Sequence, residues 1–331
     1  MLKQKAPLYV VILTTLFGSA GTYFITSAID QKSAKPATED FAVRCNYTST
    51  RLPGYEFVSP LLFAEETCQS PELGQLRNDI ETVINNYKSS GTISDASVYL
   101  RRLTKGQWMG IDETEKYFPG SLMKVPELIT FMKMNEKMPG LLDKKINYTN
   151  PLTSSKNAHY VSKSIVPGNT YTVRELLYYM IAYSDNNATM VLNQMMDINI
   201  FKKTFTDLGM PEPDMNAKDI PIGPRQFSFF MRVIYNASYL GNKDSEYCAE
   251  LLSHTDFKDG FTEPLPNNLK VAHKFGEAGD QFTAHFSESG IVYVQNAPYL
   301  LTVMTKGKDM KALPAVISKI SGEIYNRLSG I

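Results

Sequence analysis

The sequence carries no surplus of charge: 34 Lys+Arg are balanced by 34 Asp+Glu over 331 residues. Proteins that hold nucleic acid draw most of their affinity from a basic face, so that class of partner is not expected. Potential metal ligands are also scarce. The four histidines (His159, His254, His273, His285) are scattered and no Cys/His cluster has zinc spacing, so neither a metal nor a cofactor is expected. Only three cysteines occur. Cys45 and Cys68 share one N-terminal segment, where a disulfide can form outside the cytoplasm, which leaves Cys248 as a buried free thiol. No internal repeat interrupts the chain, and the single low-complexity run is a short polar segment near the N-terminus.

What is present is a globular composition, 43% hydrophobic and 21% charged, in a chain long enough for one large core or two modest ones. The N-terminus departs from that average. Lys3 and Lys5 precede 24 uncharged residues, Ala6 to Ile29, closed by Asp30. That length spans the hydrocarbon of a bilayer, and no A-x-A cleavage site follows it. Residues 1–29 are read as a signal anchor with the lysines inside and the body outside, placing the chain at the cell membrane as a single-pass protein. A cleaved signal peptide, giving a secreted protein, is the alternative. Residues 30–70 read as a tether, "DQKSAKPATED", and an irregular lead-in.

From residue 71 to the end the periodicities describe one domain. "LGQLRNDIETVINNY" puts Leu76, Ile80, Val83 and Ile84 on one helical face. "ASVYLRRL" and "QWMGI" alternate as strands around the turn Thr104-Lys105-Gly106. Between about 117 and 255 the pattern is mostly helical, including a capping box from Thr172 to Glu175. Strand patterns return in "NLKVAHKFG", "SGIVYV" and "YLLTVM", and Leu313, Val316, Ile317, Ile320 and Ile324 mark a closing helix. The fold class expected is α/β (α+β): an antiparallel sheet flanked by terminal helices, with an inserted all-helical subdomain.

Chemistry gathers at three places. "FPGSLMKVP" sets Ser121 and Lys124 three residues apart at a helix entrance, within reach of each other on one face. A serine hydroxyl needs a base, and lysine serves only where burial or positive charge lowers its pKa. "YSDNNAT" follows with Ser184, Asp185 and Asn186, and "AHKFGEAG" with Lys274 and Gly276. An S-D-N tripeptide is expected by chance roughly 0.05 times in such a chain, so all three in order is a specific signal.

The order S-x-x-K, S-D-N, K-x-G resembles the motif set of class A β-lactamases and penicillin-binding proteins. The resemblance runs from about Leu76 to the end. It extends to "SVYLRRLTKGQWMGIDETEKYFPGSLMKVP", "YTVRELLYYMIAYSDNNAT" and "SGIVYVQNAPYLLTVM". It implies a β-lactamase/transpeptidase-like fold and acylation of Ser121 by a β-lactam or a D-Ala-D-Ala-type peptide. On the same resemblance Lys124 helps remove the Ser121 proton and Ser184 relays a proton toward the leaving nitrogen. Asn186 holds the substrate's amide side chain, and Lys274, followed by Gly276, supplies positive charge near Ser184 and the substrate carboxylate. The oxyanion hole would be the backbone N–H groups of Ser121 and Glu277. A monomer is expected.

Two departures bear on the activity. The hydroxyl usual at the middle of K-[ST]-G is replaced by Phe275, and His273 should face the other side of its strand. The deacylating base of efficient β-lactamases is a Glu with an Asn four residues on. "PEPDMN" offers Glu212 and Asn216 at that spacing, 28 residues after Ser184, with Asp214 a competitor and a solvated Pro-rich loop the bland reading. Asp185 is expected to hold its turn together, and Trp108, Tyr178 and Tyr179 to pack. His159 and Tyr160 either line the cleft or sit on a surface loop. Three functions follow: a β-lactamase, a cell-wall D,D-peptidase that releases β-lactams slowly, or a non-catalytic receptor or scaffold.

Overall fold

A computed structural model describes residues 45–149, 158–217, 219–279 and 282–330. The chain divides at Cys45, and the unit Asn46–Ile331 carries the architecture below. The expected anchor at 1–29 and the tether after it lie outside the described residues, among which no helix is long and apolar enough to cross a membrane.

The unit opens with a hairpin, β1 (Tyr47–Arg51) and β2 (Leu61–Glu66), where an irregular lead-in was expected. Helix α1 (Gly74–Ser89) buries Leu76, Ile80 and Ile84 of the predicted stripe and leaves Val83 half-buried. Strands β3 (Asp95–Arg102) and β4 (Trp108–Ile111) form the predicted hairpin. A 3₁₀ turn, Gly120–Met123, leads into α2 (Lys124–Lys137). Pro126 falls in the first turn of α2, where a missing N–H needs no helical partner. A two-stranded ribbon, β5 (Lys145–Asn147) and β6 (Thr170–Thr172), precedes α3 (Val173–Ala182). The capping box forms there: Thr172 N–H donates to Glu175 Oε2 at 2.7 Å and Glu175 N–H to Thr172 Oγ1 at 3.2 Å. Then come α4 (Asn186–Asn193), α5 (Ile198–Asp207), α6 (Pro224–Tyr235) and α7 (Asn242–Ser253). Strands β7 (Val271–Gly279), β8 (Ala284–Val292) and β9 (Tyr299–Gly307) follow, and α8 (Leu313–Ser329) ends the fold.

The main sheet is antiparallel in the order β4-β3-β9-β8-β7, so the β3–β4 hairpin joins the last three strands through the β3–β9 pairing and β7 is an edge. Both faces are covered, and alternation along β3 assigns them. Val98 and Leu100 join Leu76, Ile80, Val316 and Ile320 beneath α1 and α8. Tyr99 points to the other side, into the core built by the helical insertion with Val125, Leu128 and Met180. This is the expected antiparallel sheet with terminal helices and inserted helices. The opening hairpin escaped notice because β1 is polar and nearly all exposed. It is fixed by apolar burial of Leu62 and Phe63 in the core and by charge: buried Arg232 on α6 donates to Glu65 Oε1 at 2.8 Å and to the Ala64 carbonyl at 2.9 Å, and Arg101 on β3 donates to the same carbonyl at 3.1 Å.

Candidate active site

Edge strand β7 is crossed by the 3₁₀ turn that carries Ser121, and two glycines permit the crossing. A Cβ on Gly276 would lie 2.1 Å from the Pro119 carbonyl oxygen, 2.7 Å from Leu122 N and 2.9 Å from Ser121 N. From the other side, a Cβ on Gly120 (φ 53°) would lie 2.1 Å from the Glu277 carbonyl oxygen and 3.1 Å from Glu277 N. The backbones of Ser121 and Glu277 therefore flank one point of contact. Two N–H groups beside a candidate nucleophile are the arrangement an oxyanion requires.

Lys124, the first residue of α2, is buried, and its Nζ donates to the Ser184 carbonyl at 2.7 Å, Ser184 Oγ at 3.2 Å and Asn186 Oδ1 at 2.7 Å. Three acceptors match the three protons of an ammonium. These bonds run to the S-D-N turn rather than to Ser121, which sits one element earlier, on the tighter 3₁₀ turn. Loss of one proton from Lys124 would release one of these bonds and leave a lone pair on Nζ. Burial pulls Lys124 below the ordinary lysine range, the direction a base needs.

Ser184 occupies left-handed backbone (φ 53°), uncommon for a residue with a side chain. The twist lets both its carbonyl and its Oγ face one ammonium. Asp185 secures it: the carboxylate caps α4 by accepting from Asn187 N (3.0 Å) and Ala188 N (3.3 Å), and also accepts from Ser164 Oγ (2.8 Å) and Ile165 N (2.9 Å). Lys274 approaches from β7, fully buried, and donates to Ser184 Oγ at 2.9 Å and the Phe275 carbonyl at 3.0 Å. Burial, reinforced by the neighbouring Lys124, holds it well below the usual lysine range. The Ser184 hydroxyl thus stands between two lysines.

Ser121, Ser184 and Asn186 open on a cleft of about 660 Å³, also lined by His159, Tyr160, Phe275, Glu277 and Lys308. Of the two readings of His159 and Tyr160, lining the cleft is the one observed. Glu277 fixes that loop by accepting from His159 N (2.9 Å) and Tyr160 N (3.1 Å), and Tyr160 donates to Asp256 Oδ1 at 2.7 Å. Burial raises the Glu277 carboxyl above its ordinary value. Phe275 is buried, stacked on Phe257 (4.3 Å between centroids) and edge-on to Tyr160 (5.0 Å). Where a hydroxyl donor was to be looked for, there is a hydrocarbon wall. His273 faces away from Ser184, its Nδ1 2.6 Å from Glu288 Oε1 in the interior.

The sequence from residue 75 to 328 matches the model of the beta-lactamase enzyme family. The chain belongs to that family. Solved structures agree on the fold. PBP-A aligns at a TM-score of 0.64 with 19% identity, over 77% of this chain and 97% of that one. A β-lactamase from Chitinophaga pinensis aligns at 0.64 with 20% identity, over 75% and 99%. A class A β-lactamase from Mycobacterium abscessus aligns at 0.62 with 18% identity, over 76% and 98%. No curated protein matches the sequence.

One residue singled out from spacing is not brought to the cleft of this β-lactamase-family chain. Glu212 is 58% exposed, paired with Lys202 at 2.8 Å, and lines a separate cavity of about 220 Å³ with Asp214, Phe205 and Met210. The Glu-x-x-x-Asn spacing is present, but the short loop after α5 keeps its carboxylate in solvent, so the role of deacylating base does not fit its position. Asn216 N–H instead closes a local turn onto Asp214 Oδ1 at 2.9 Å. Conversely, Glu127 belongs to none of the sequence motifs. It lies one turn beyond Lys124 and is buried, with the Asn193 amide on one oxygen and no partner for Oε2. An acid inside a run of apolar residues was the available signal, since α2 is buried on all sides from Lys124 to Met132. Among the described residues no group of three or more His, Cys, Asp or Glu is disposed to hold a metal ion.

Proposed function

We propose that this family member is a serine acyltransferase-hydrolase of the penicillin-binding kind, in which Ser121 is acylated by a β-lactam or a D-Ala-D-Ala-type peptide and the acyl-enzyme is long-lived. The observation that carries the reading is the convergence of Lys124 and Lys274 on Ser184 Oγ, with Asn186 Oδ1 held by the same Lys124 ammonium, beside the Ser121 turn. In this scheme Lys124, as free amine, takes the Ser121 proton while Oγ bonds to the carbonyl carbon. The negative charge passes to the carbonyl oxygen, between the N–H groups of Ser121 and Glu277. Ser184 then passes its proton to the leaving nitrogen as the carbonyl re-forms and the C–N bond breaks. The Lys124 ammonium, 3.2 Å from Ser184 Oγ, returns to Ser184 the proton taken from Ser121, while Lys274 keeps the Ser184 hydroxyl oriented and attracts the substrate carboxylate. Asn186 holds the substrate's amide.

Slow release follows from what lines the cleft. Its carboxylates among the described residues are Glu277, engaged by two backbone N–H groups, and Asp309, which caps Lys311 N at 3.0 Å. Both are tied to backbone N–H groups rather than to Ser121, Lys124 or Ser184, which favours the peptidase-like reading over rapid β-lactam turnover. A variant of PBP-A is known as an acyl-enzyme complex with penicillin G, on the same fold. The apolar stretch at 6–29 behind Lys3 and Lys5 supports a membrane anchor with the body outside. Disulfide-bonded Cys45 and Cys68 fit an oxidising compartment. Labelling with a fluorescent penicillin tests the reading: the parent should be labelled and Ser121→Ala not. Equal labelling of both would refute it.

A further inference from the structure

We propose that Glu127 is the buried counter-charge of Lys124, a positioning residue that sets how readily the base gives up its proton. The inference rests on the site reading above, in which Lys124 is the base. Glu127 follows Lys124 by three residues on α2, so both side chains leave the same side of the helix. Its side chain lies in a stretch with no exposed residue from Lys124 to Met132, and Oε2 has neither solvent nor a hydrogen-bond partner. A carboxylate left half-satisfied inside a core costs free energy unless a charge compensates it. A leucine or isoleucine there would pack without that cost. What Glu127 adds is a negative charge near a lysine that burial disfavours.

The charged groups facing Lys124 are few. Asp185, at the start of α4, and Glu127 favour its ammonium, and Lys274 on β7 opposes it. Asp185 is already committed to four hydrogen bonds that hold the S-D-N turn. Glu127 is faced by Lys124 and by the Asn193 amide. Burial moves the two groups in opposite directions, Lys124 down and Glu127 up, so their ranges draw together. The pair then holds one proton at no net charge, either as ammonium with carboxylate or as amine with carboxylic acid. The second form is the one that can accept the Ser121 proton. Removing the Glu127 charge leaves Lys124 facing burial and Lys274 with less compensation, so its amine form should appear at lower pH.

The test compares the full chain with Glu127→Gln by ¹³C NMR of ε-labelled lysine, the Lys124 signal being assigned by its absence in Lys124→Met. The Lys124 titration midpoint should fall by about one pH unit or more in Glu127→Gln. The acid limb of the rate of labelling by penicillin should move down with it, making labelling on that limb about tenfold faster per unit. Should Glu127→Gln not fold, Glu127→Met removes the same charge with an apolar chain of similar length and gives the same readout. An unchanged or raised midpoint would overturn the inference, whatever the penicillin result. A parent that fails to react with penicillin would sink the reading of the site and leave the midpoint comparison standing, so the two failures are distinguishable.

Discussion

The crossing of β7 by the Ser121 turn allows a quantitative prediction for Gly276→Ala. The new methyl would start 2.1 Å from the Pro119 carbonyl oxygen and 2.9 Å from Ser121 N. Its neighbours are backbone atoms of a turn, so no side chain can swing aside. Restoring ordinary contact requires the turn and the strand to part by about 1 Å, at a cost of about 1–3 kcal/mol in stability. The same displacement separates Ser121 N–H from Glu277 N–H, and misplacement of about 1 Å costs on the order of 10²-fold in rate. The assay is the second-order rate of labelling by a fluorescent penicillin, with thermal unfolding followed alongside. Gly74→Ala is the control: it sits in the first turn of α1 with nothing within 4 Å of the added Cβ, and should label at the parental rate. A folded Gly276→Ala labelling within about twofold of the parent would refute the claim that the two N–H groups are set by this contact.

Other outcomes follow from the same geometry. Glu212→Gln should leave the lifetime of the acyl-enzyme unchanged, because the side chain is paired with Lys202 in solvent; faster or slower release, followed by mass spectrometry, would return it to the mechanism. The acylation rate should rise with pH as Lys124 loses its proton and level off well below the ordinary lysine value of about 10.4, since burial has lowered it. Lys124→Arg, which cannot deprotonate, should abolish that rise. Phe275→Ala should lose about 3–5 kcal/mol in denaturant unfolding, as its ring packs against Phe257, Tyr160 and Phe286. The Cys248 thiol is buried and raised by burial, so a thiol reagent should find it only after unfolding.

The residues that could be read ahead of the structure were those whose chemistry or period is local. Alternation in "ASVYLRRL" and the apolar stripe of α8 gave the sheet and the closing helix. S-x-x-K, S-D-N and K-x-G are short, and each falls on a turn, a helix start or an edge strand, so their order survived in three dimensions. Glu212 shows the opposite case. Its spacing to Asn216 is correct, yet spacing in a loop does not say which way the loop faces. Glu127 differs: its apolar neighbours hint at burial, but a glutamate in a helix is normally solvated, and the packing of α2 on all sides is what makes it an interior charge. The β1–β2 hairpin lacked a period to read: β1 is polar and exposed, β2 buries the consecutive pair Leu62 and Phe63, and Arg232 and Arg101, far along the chain, supply the rest of its hold.

The central claim is that Ser121 forms a covalent and slowly released adduct. Mass spectrometry of the intact full chain mixed with a penicillin, sampled over time beside Ser121→Ala, tests it most directly. The parent should gain one penicillin mass that persists long after free drug is removed, and Ser121→Ala should gain none. A parent that never gains the mass, or that gains and loses it with rapid turnover of the drug, would contradict it.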